Sequence, residues 1–273
     1  MKKFLLIIFA MLILSVSQAF AENIKFIQVT DVHLNNNNEY SKNVLKSAVE
    51  DINNQPGIAF VVFTGDNIGS PREDNLRAFL KIVSKLNVPY YIVLGNHDVY
   101  KSNGLSKVRY FELVKTHKLF FPQRKPNYKF SKNGFVFLLV DGAKEVIPGS
   151  VGYYRKDTLD WVEKELRKNK RKDVVIFQHF PVEYPEDSES SIKTHKTYKV
   201  EEYQAMLEKH TNVLAVISGH FHVNSENMKN GVYHITTPAL LMLPHSYKVI
   251  DIVTTKEFSP IIYTQLREFS IKD

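Results

Sequence analysis

Cysteine is absent from all 273 residues. That excludes disulfides, thiolate metal ligands, a cysteine nucleophile and lipid attachment through sulfur. Any metal site must therefore use histidine, asparagine and carboxylates. Internal repeats and low-complexity segments are also missing, and Asn35 to Asn38 is only a short polar loop. Hydrophobic residues at 44% and charged residues at 24% suit a globular chain able to bury a core, so disordered and fibrous classes are excluded. The basic residues read as scattered, not gathered in one run, so no nucleic-acid footprint is expected.

The formal net charge is +7. The first 21 residues carry Lys2 and Lys3 and no acid, so without them it is +5. A mild attraction to phosphorylated or other anionic small molecules follows. The same 21 residues read as a signal peptide. Lys2 and Lys3 form a basic start, Phe4 to Val16 is apolar, and Ala19-Phe20-Ala21 is an A-x-A site. The apolar stretch falls short of the roughly 20 residues a membrane-spanning helix needs. The expectation is an exported protein, periplasmic or extracellular, cleaved after Ala21 and left without a stable membrane anchor. Residues 22–273 are expected to form one domain.

Apolar, β-branched runs alternate with amphipathic ones, which is an α/β pattern. Strands are expected at 24–30, 58–64, 90–94, 135–140, 174–178, 213–218, 232–236, 248–253 and 261–265. Helices are expected at 41–53, 75–86, 106–117, 157–168 and 200–210. In the first helix Val44, Leu45, Ala48, Val49 and Ile52 share one face.

Several strands end directly in polar clusters: Asp31-Val32-His33, Gly65-Asp66, Gly95-Asn96-His97-Asp98, Gln178-His179 and Gly219-His220-Phe221-His222. Ligands of α/β sheets bind beyond the carboxyl ends of strands, so five such blocks can converge. Imidazole mixed with carboxylate suits divalent Mn, Fe or Zn. Two such ions about 3.5–4 Å apart clamp an in-line displacement at phosphorus.

Taken together and in order, these blocks resemble the calcineurin-like metallophosphoesterase superfamily, along nearly the whole chain from residue 24 to about 253. The pattern is most similar to the bacterial phosphodiesterase-like branch, which includes class III cyclic nucleotide phosphodiesterases. The resemblance implies two packed β-sheets flanked by helices and two divalent metal ions. Asp31, His33 and His222 would hold one ion, Asn96, His179 and His220 the other, and Asp66 would bridge them. His97 would act beside the scissile bond, with Asp98 orienting its imidazole. A bridging hydroxide would hydrolyse a small phosphate ester, a phosphodiester first and possible monoesters second. A phosphomonoesterase scavenging external nucleotides is the alternative, and a non-catalytic metal- or phosphate-binding protein is the reading from another class.

Phe180 stands where many members carry a second histidine, a departure expected to touch the substrate pocket. His117, His195, His210, His234 and His245 match no ligand block and are expected to be surface or structural residues. Trp161 is expected in the core.

Overall fold

The computed structural model describes residues 22–118, 120–147, 149–185, 194–255 and 259–271. The expected signal peptide, residues 1–21, lies outside the described residues. The elements run β1 (Ile24–Val29), α1 (Glu39–Asn53), β2 (Val61–Thr64), α2 (Glu73–Val83), β3 (Tyr90–Val93), α3 (Lys107–His117), β4 (Tyr128–Lys132) and β5 (Phe135–Leu139). They continue with α4 (Lys156–Lys168), β6 (Val174–Phe177), α5 (Val200–Glu208), β7 (Val213–Ser218), β8 (Ser225–Lys229), β9 (Val232–Thr236), β10 (Ser246–Val253) and β11 (Ile261–Glu268). Among the described residues no helix is long and apolar enough to cross a membrane.

Two mixed sheets pack against each other, in the order β11-β10-β1-β2-β3 and β4-β5-β6-β7-β9-β8. β1, β2 and β3 are parallel, as are β5, β6, β7 and β9. This is the expected α/β sandwich. All nine expected strands are present, and β4 and β8 are two more. Both lie at sheet edges with mostly exposed residues, Tyr-Lys-Phe-Ser-Lys and Ser-Glu-Asn-Met-Lys, so no apolar run announces them.

Phenylalanine fills the space between the sheets. Phe26 stacks on Phe60 with centroids 4.9 Å apart, and Phe137 and Phe177 meet both edge-on. Such ring pairs add about 0.5–1.5 kcal/mol each beyond burial. The helices cover the outer faces. In α1 the buried face is the one read from sequence, and Asn38 caps its start by accepting from the Ser41 amide. Trp161 packs partly buried against that outer core.

A polar tie lies just below the strand ends. The buried Gln28 amide donates to Thr64 Oγ1 at 2.8 Å and to the Ser218 carbonyl at 2.7 Å, and accepts from Thr237 Oγ1 at 2.6 Å. It fastens β1 and β2 of one sheet to β7 and the β9 end of the other. The carboxyl ends of β1, β2, β3, β6 and β7 are thereby held at one edge of the sandwich.

Candidate metal centre

That edge carries the five polar blocks. Asp31, His33 and His222 form one group whose ligand atoms all lie within 4.8 Å of one another. Two more groups with the same spacing are His33, Asp66 and His97, and Asp66, His179 and His220. His33 and Asp66 are shared, so the three groups are one continuous cluster. The first group is the trio expected around one ion; the third holds the expected bridge and two ligands of the other. Asn96 arrives from β3 beside them, its Oδ1 buried and without a hydrogen-bond partner.

The backbone is bent to achieve this. Asp31, His33, Asp66, His220 and His222 all have positive φ, from 44° to 72°. For residues with a Cβ this costs of order 1–3 kcal/mol each and persists only where the surroundings enforce it. The loops after β1 and β2 enforce it mutually: the Asp31 amide donates to Gly65 O and the His33 amide to Asp66 O. Glycines give the room. A Cβ on Gly65 would sit 2.7 Å from His179 Cβ, one on Gly95 2.8 Å from Asp66 Cγ, and one on Gly219 2.6 Å from Asp31 Oδ2.

The two carboxylates are arranged alike. Asp31 Oδ2 accepts from Thr30 Oγ1 at 2.7 Å and from the His220 amide at 3.0 Å, leaving Oδ1 for the imidazoles. Oδ1 lies 3.1 Å from His222 Nε2 and 3.8 Å from His33 Nε2. Asp66 Oδ1 accepts from the His97 amide at 2.8 Å, and its Oδ2 lies 3.4 Å from His179 Nε2, 3.9 Å from His33 Nε2 and 4.0 Å from His97 Nε2. Both carboxylates are buried, and their ion pairs are all with imidazoles.

The imidazoles are oriented by their other nitrogens. His179 Nδ1 meets Thr64 O at 2.8 Å, so Nε2 faces the cluster; it is buried with no hydrogen-bond partner. His220 Nε2 meets His195 O at 3.1 Å, which leaves Nδ1 for the site. Such contacts fix the tautomer of a metal-ligating histidine. An unpartnered buried nitrogen at His179 and an unpartnered buried oxygen at Asn96 are costly unless a cation fills the gap between them and the carboxylates. The donor set, nitrogen and oxygen without thiolate, fits a pair of divalent ions.

Electrostatics point the same way. Burial pushes the Asp31 carboxyl up, but the His179 charge and the His222 hydrogen bond outweigh it and bring it to about 2. Burial also opposes ionisation of Asp66, and His179 overcomes it so that the group lies well below the usual range. His179 is itself disfavoured as a cation by burial, yet Asp66 and Asp31 raise it to about 9. His220, buried and beside His179, falls to about 3. The two buried carboxylates thus favour positive charge among the imidazoles, which a pair of divalent ions would supply.

Two expectations are corrected. Asp98 does not orient the His97 imidazole. Its oxygens accept from the Asn67, Ile68 and Gly95 amides and from Asn67 Nδ2, at 2.7–3.2 Å, while His97 Nδ1 meets Gly69 O at 3.1 Å. The carboxylate is fully buried beneath the turn and ties two ligand loops together. Phe180 does not line a solvent-facing pocket. It is fully buried and packs edge-on against His179 and His220, with centroids 4.8 Å from each.

One neighbour escaped sequence reasoning. His195 adjoins the site: its carbonyl accepts from His220, and its ring lies 5.3 Å from that of His220. It stands in a polar stretch with no motif around it. His245, in contrast, is the structural histidine expected, buried between Tyr40 Oη and Leu240 O.

The description calcineurin-like phosphoesterase matches the chain over residues 24–224. The chain belongs to the calcineurin-like phosphoesterase family. With that membership and this donor set it is a metal-dependent phosphoric ester hydrolase. Among curated proteins it is 27% identical over 230 residues to a probable glycerophosphodiester phosphodiesterase of Arcobacter nitrofigilis, covering 77% of this chain and 76% of that one. It is 23% identical to the 3',5'-cyclic adenosine monophosphate phosphodiesterase of Haemophilus influenzae, covering 82% and 79%. These names agree with the phosphodiesterase-like branch read from the motifs. Among solved structures, a dimetal phosphatase from Danio rerio superposes with a TM-score of 0.65 at 20% identity over 90% of this chain and 96% of that one, which shows the shared fold.

Proposed function

We propose that this chain is an exported phosphodiesterase for small phosphate esters, working with two divalent ions at the Asp31–His222 cluster. The observation that carries the reading is the pair of buried carboxylates, each with one oxygen tied to the protein and the other turned to imidazoles. Asp31, His33 and His222 would hold one ion, and Asn96, His179 and His220 the other, with Asp66 between them. When bound, such a pair supplies Lewis acidity at the phosphoryl oxygens and activates water for attack.

The remaining steps fall to the protein. His97 has the most exposed ring of the cluster and keeps Nε2 turned to Asp66, with Nδ1 donating to Gly69 O. In the protonated state it can give the Nε2 proton to the departing oxygen. Asp98 keeps the Asn67 and Gly95 turns in register so that Asp66 and Asn96 face the same space. The amino-terminal Lys2-Lys3, the apolar Phe4 to Val16 and the Ala19-Phe20-Ala21 site support export.

The deciding experiment measures hydrolysis of bis(p-nitrophenyl) phosphate by the metal-loaded protein and by Asp66→Asn. Turnover with added Mn²⁺, lost in the variant and on chelation, is expected. Stoichiometric metal binding without turnover on any diester or monoester would assign the chain instead to non-catalytic metal or phosphate binding. A panel of cyclic nucleotides, glycerophosphodiesters and nucleoside monophosphates then ranks diester against monoester.

A further inference from the structure

The pole opposite the metal centre carries a feature that the reading of scattered charge overlooked. Arg167-Lys168-Asn169-Lys170-Arg171-Lys172 places five cations in six residues. They form the end of α4 and the turn into β6, so they lie at the amino ends of the strands whose carboxyl ends hold the ligand cluster. The five side chains are exposed and frame a cavity of about 300 Å³. Arg167 and Lys168 make only loose pairs, at 3.6 Å to Glu163 and 3.9 Å to Glu165, and Glu165 is already held by Lys129 at 2.7 Å. Lys170, Arg171 and Lys172 form no ion pair among the described residues.

The turn is built and does not merely dangle. Buried Asn212 points Nδ2 at the carbonyls of Leu166, Asn169 and Lys172, at 3.2, 3.1 and 3.5 Å. With three carbonyls drawn inward, the cationic side chains are presented outward in fixed register. Arg167 and Lys168 complement the carboxyl end of α4, but Lys170, Arg171 and Lys172 lie beyond it, and like charges crowded in this way repel unless an external anion offsets them.

The same pole is where the chain enters the fold. The Glu22 amide donates to Asn133 O, and Asn133 Nδ2 donates to Asn23 O. Asn133 lies in the turn from β4 to β5, beside exposed Lys132. β5 pairs with β6 through the Val136 amide and Asp173 O, immediately after the basic turn. Residue 22 is therefore tied to the turn that leads into β5, the strand next to β6 and its basic turn. Until it is cleaved, the apolar stretch Phe4 to Val16 leads into the folded body on this face.

We propose that the 167–172 turn, with Lys132, is a docking surface for an anionic phospholipid bilayer, holding this pole against the lipid headgroups and the metal centre away from them. Cations next to an anionic surface add attraction residue by residue that fades within a Debye length. A compact patch without interleaved aromatics fits a headgroup plane better than a nucleic-acid strand, which needs an extended groove and stacking platforms.

The test is flotation of the full chain with vesicles of pure phosphatidylcholine and with vesicles containing phosphatidylglycerol, at low and high salt. The comparison is with Lys170→Glu/Arg171→Glu/Lys172→Glu; the small diester assay reports that each protein is folded. The full chain is expected to prefer the anionic vesicles by at least about tenfold, with salt erasing the preference. The triple variant should lose most of that preference and keep its turnover. An undiminished preference in the folded variant overturns the proposal, because the leader lysines would then account for it. Equal binding to both vesicle types overturns it too, as does tighter capture by duplex DNA than by anionic vesicles.

Discussion

Gly219→Ala tests the close packing of the metal centre without touching any ligand. Gly219 does not have positive φ, so alanine is tolerated by the backbone, and only space is at issue. The added Cβ would sit 2.6 Å from Asp31 Oδ2 and closer still to Thr30 Oγ1. Ordinary contact begins at 3.4 Å, so Asp31 Oδ2 must retreat by about 0.8 Å and Thr30 Oγ1 by more. Yielding is hard, because Asp31 Oδ2 is held by Thr30 Oγ1 and the His220 amide, both next to the intruding methyl. Metal–ligand distances tolerate only about 0.2 Å, and a misplacement near 1 Å costs on the order of 100-fold in rate. The expected result is turnover of bis(p-nitrophenyl) phosphate lowered about 100-fold, with metal content by elemental analysis falling below that of the parent. Gly231→Ala is the control: its positive φ brings strain, but no atom lies within 4 Å of its Cβ, so stability drops by about 1 kcal/mol with metal content intact. If Gly219→Ala keeps full metal and turnover within threefold, the rigid packing inferred around Asp31 is wrong.

Two further outcomes follow from other parts of the molecule. Asp98→Asn keeps the shape but sets an amide nitrogen against two of the four N–H donors; a loss of about 2–3 kcal/mol in urea unfolding is expected. A loss below about 0.5 kcal/mol would show that those hydrogen bonds do not hold the turn. His234, on β9 and outside the ligand cluster, is lowered by burial to about 4. Its folded-state value lies below that of the unfolded chain, so the unfolded chain takes the proton first as pH falls. Stability should decline by about 2 kcal/mol from pH 7.5 to 5 and level off below pH 4. Urea midpoints of His234→Gln should show a shallower decline over that window; an identical slope refutes the assignment.

Much of the fold was legible because burial writes itself into sequence. A strand covered on both faces must be apolar throughout, as in Val-Val-Phe-Thr and Val-Val-Ile-Phe, and a helix covered on one face repeats every three to four residues, as α1 does. β4 and β8 were illegible for the converse reason: exposed edges impose no apolar pattern. The blocks around Asp31, Asp66, Asn96, His179 and His220 were legible because each follows an apolar strand directly, and a strand end in an α/β sheet has a known direction.

What local order could not decide was contact across the sandwich. Asp98 follows His97 in the chain, and the family resemblance implied that it orients that imidazole. The turn geometry sends the carboxylate inward to backbone amides and the imidazole outward to Gly69 O. Likewise Phe180 follows His179 but faces the core, and His195 reaches His220 across 25 residues. The sequence by itself determined which chemical groups are available, that the strands carrying them are buried, and the order in which they come. Only the tertiary structure decided which atom faces which, because hydrogen-bond direction and steric room depend on segments far apart in the chain. Gln28 shows it most simply: an unremarkable polar residue in a strand becomes, once folded, the tie that brings both halves of the metal centre to the same edge.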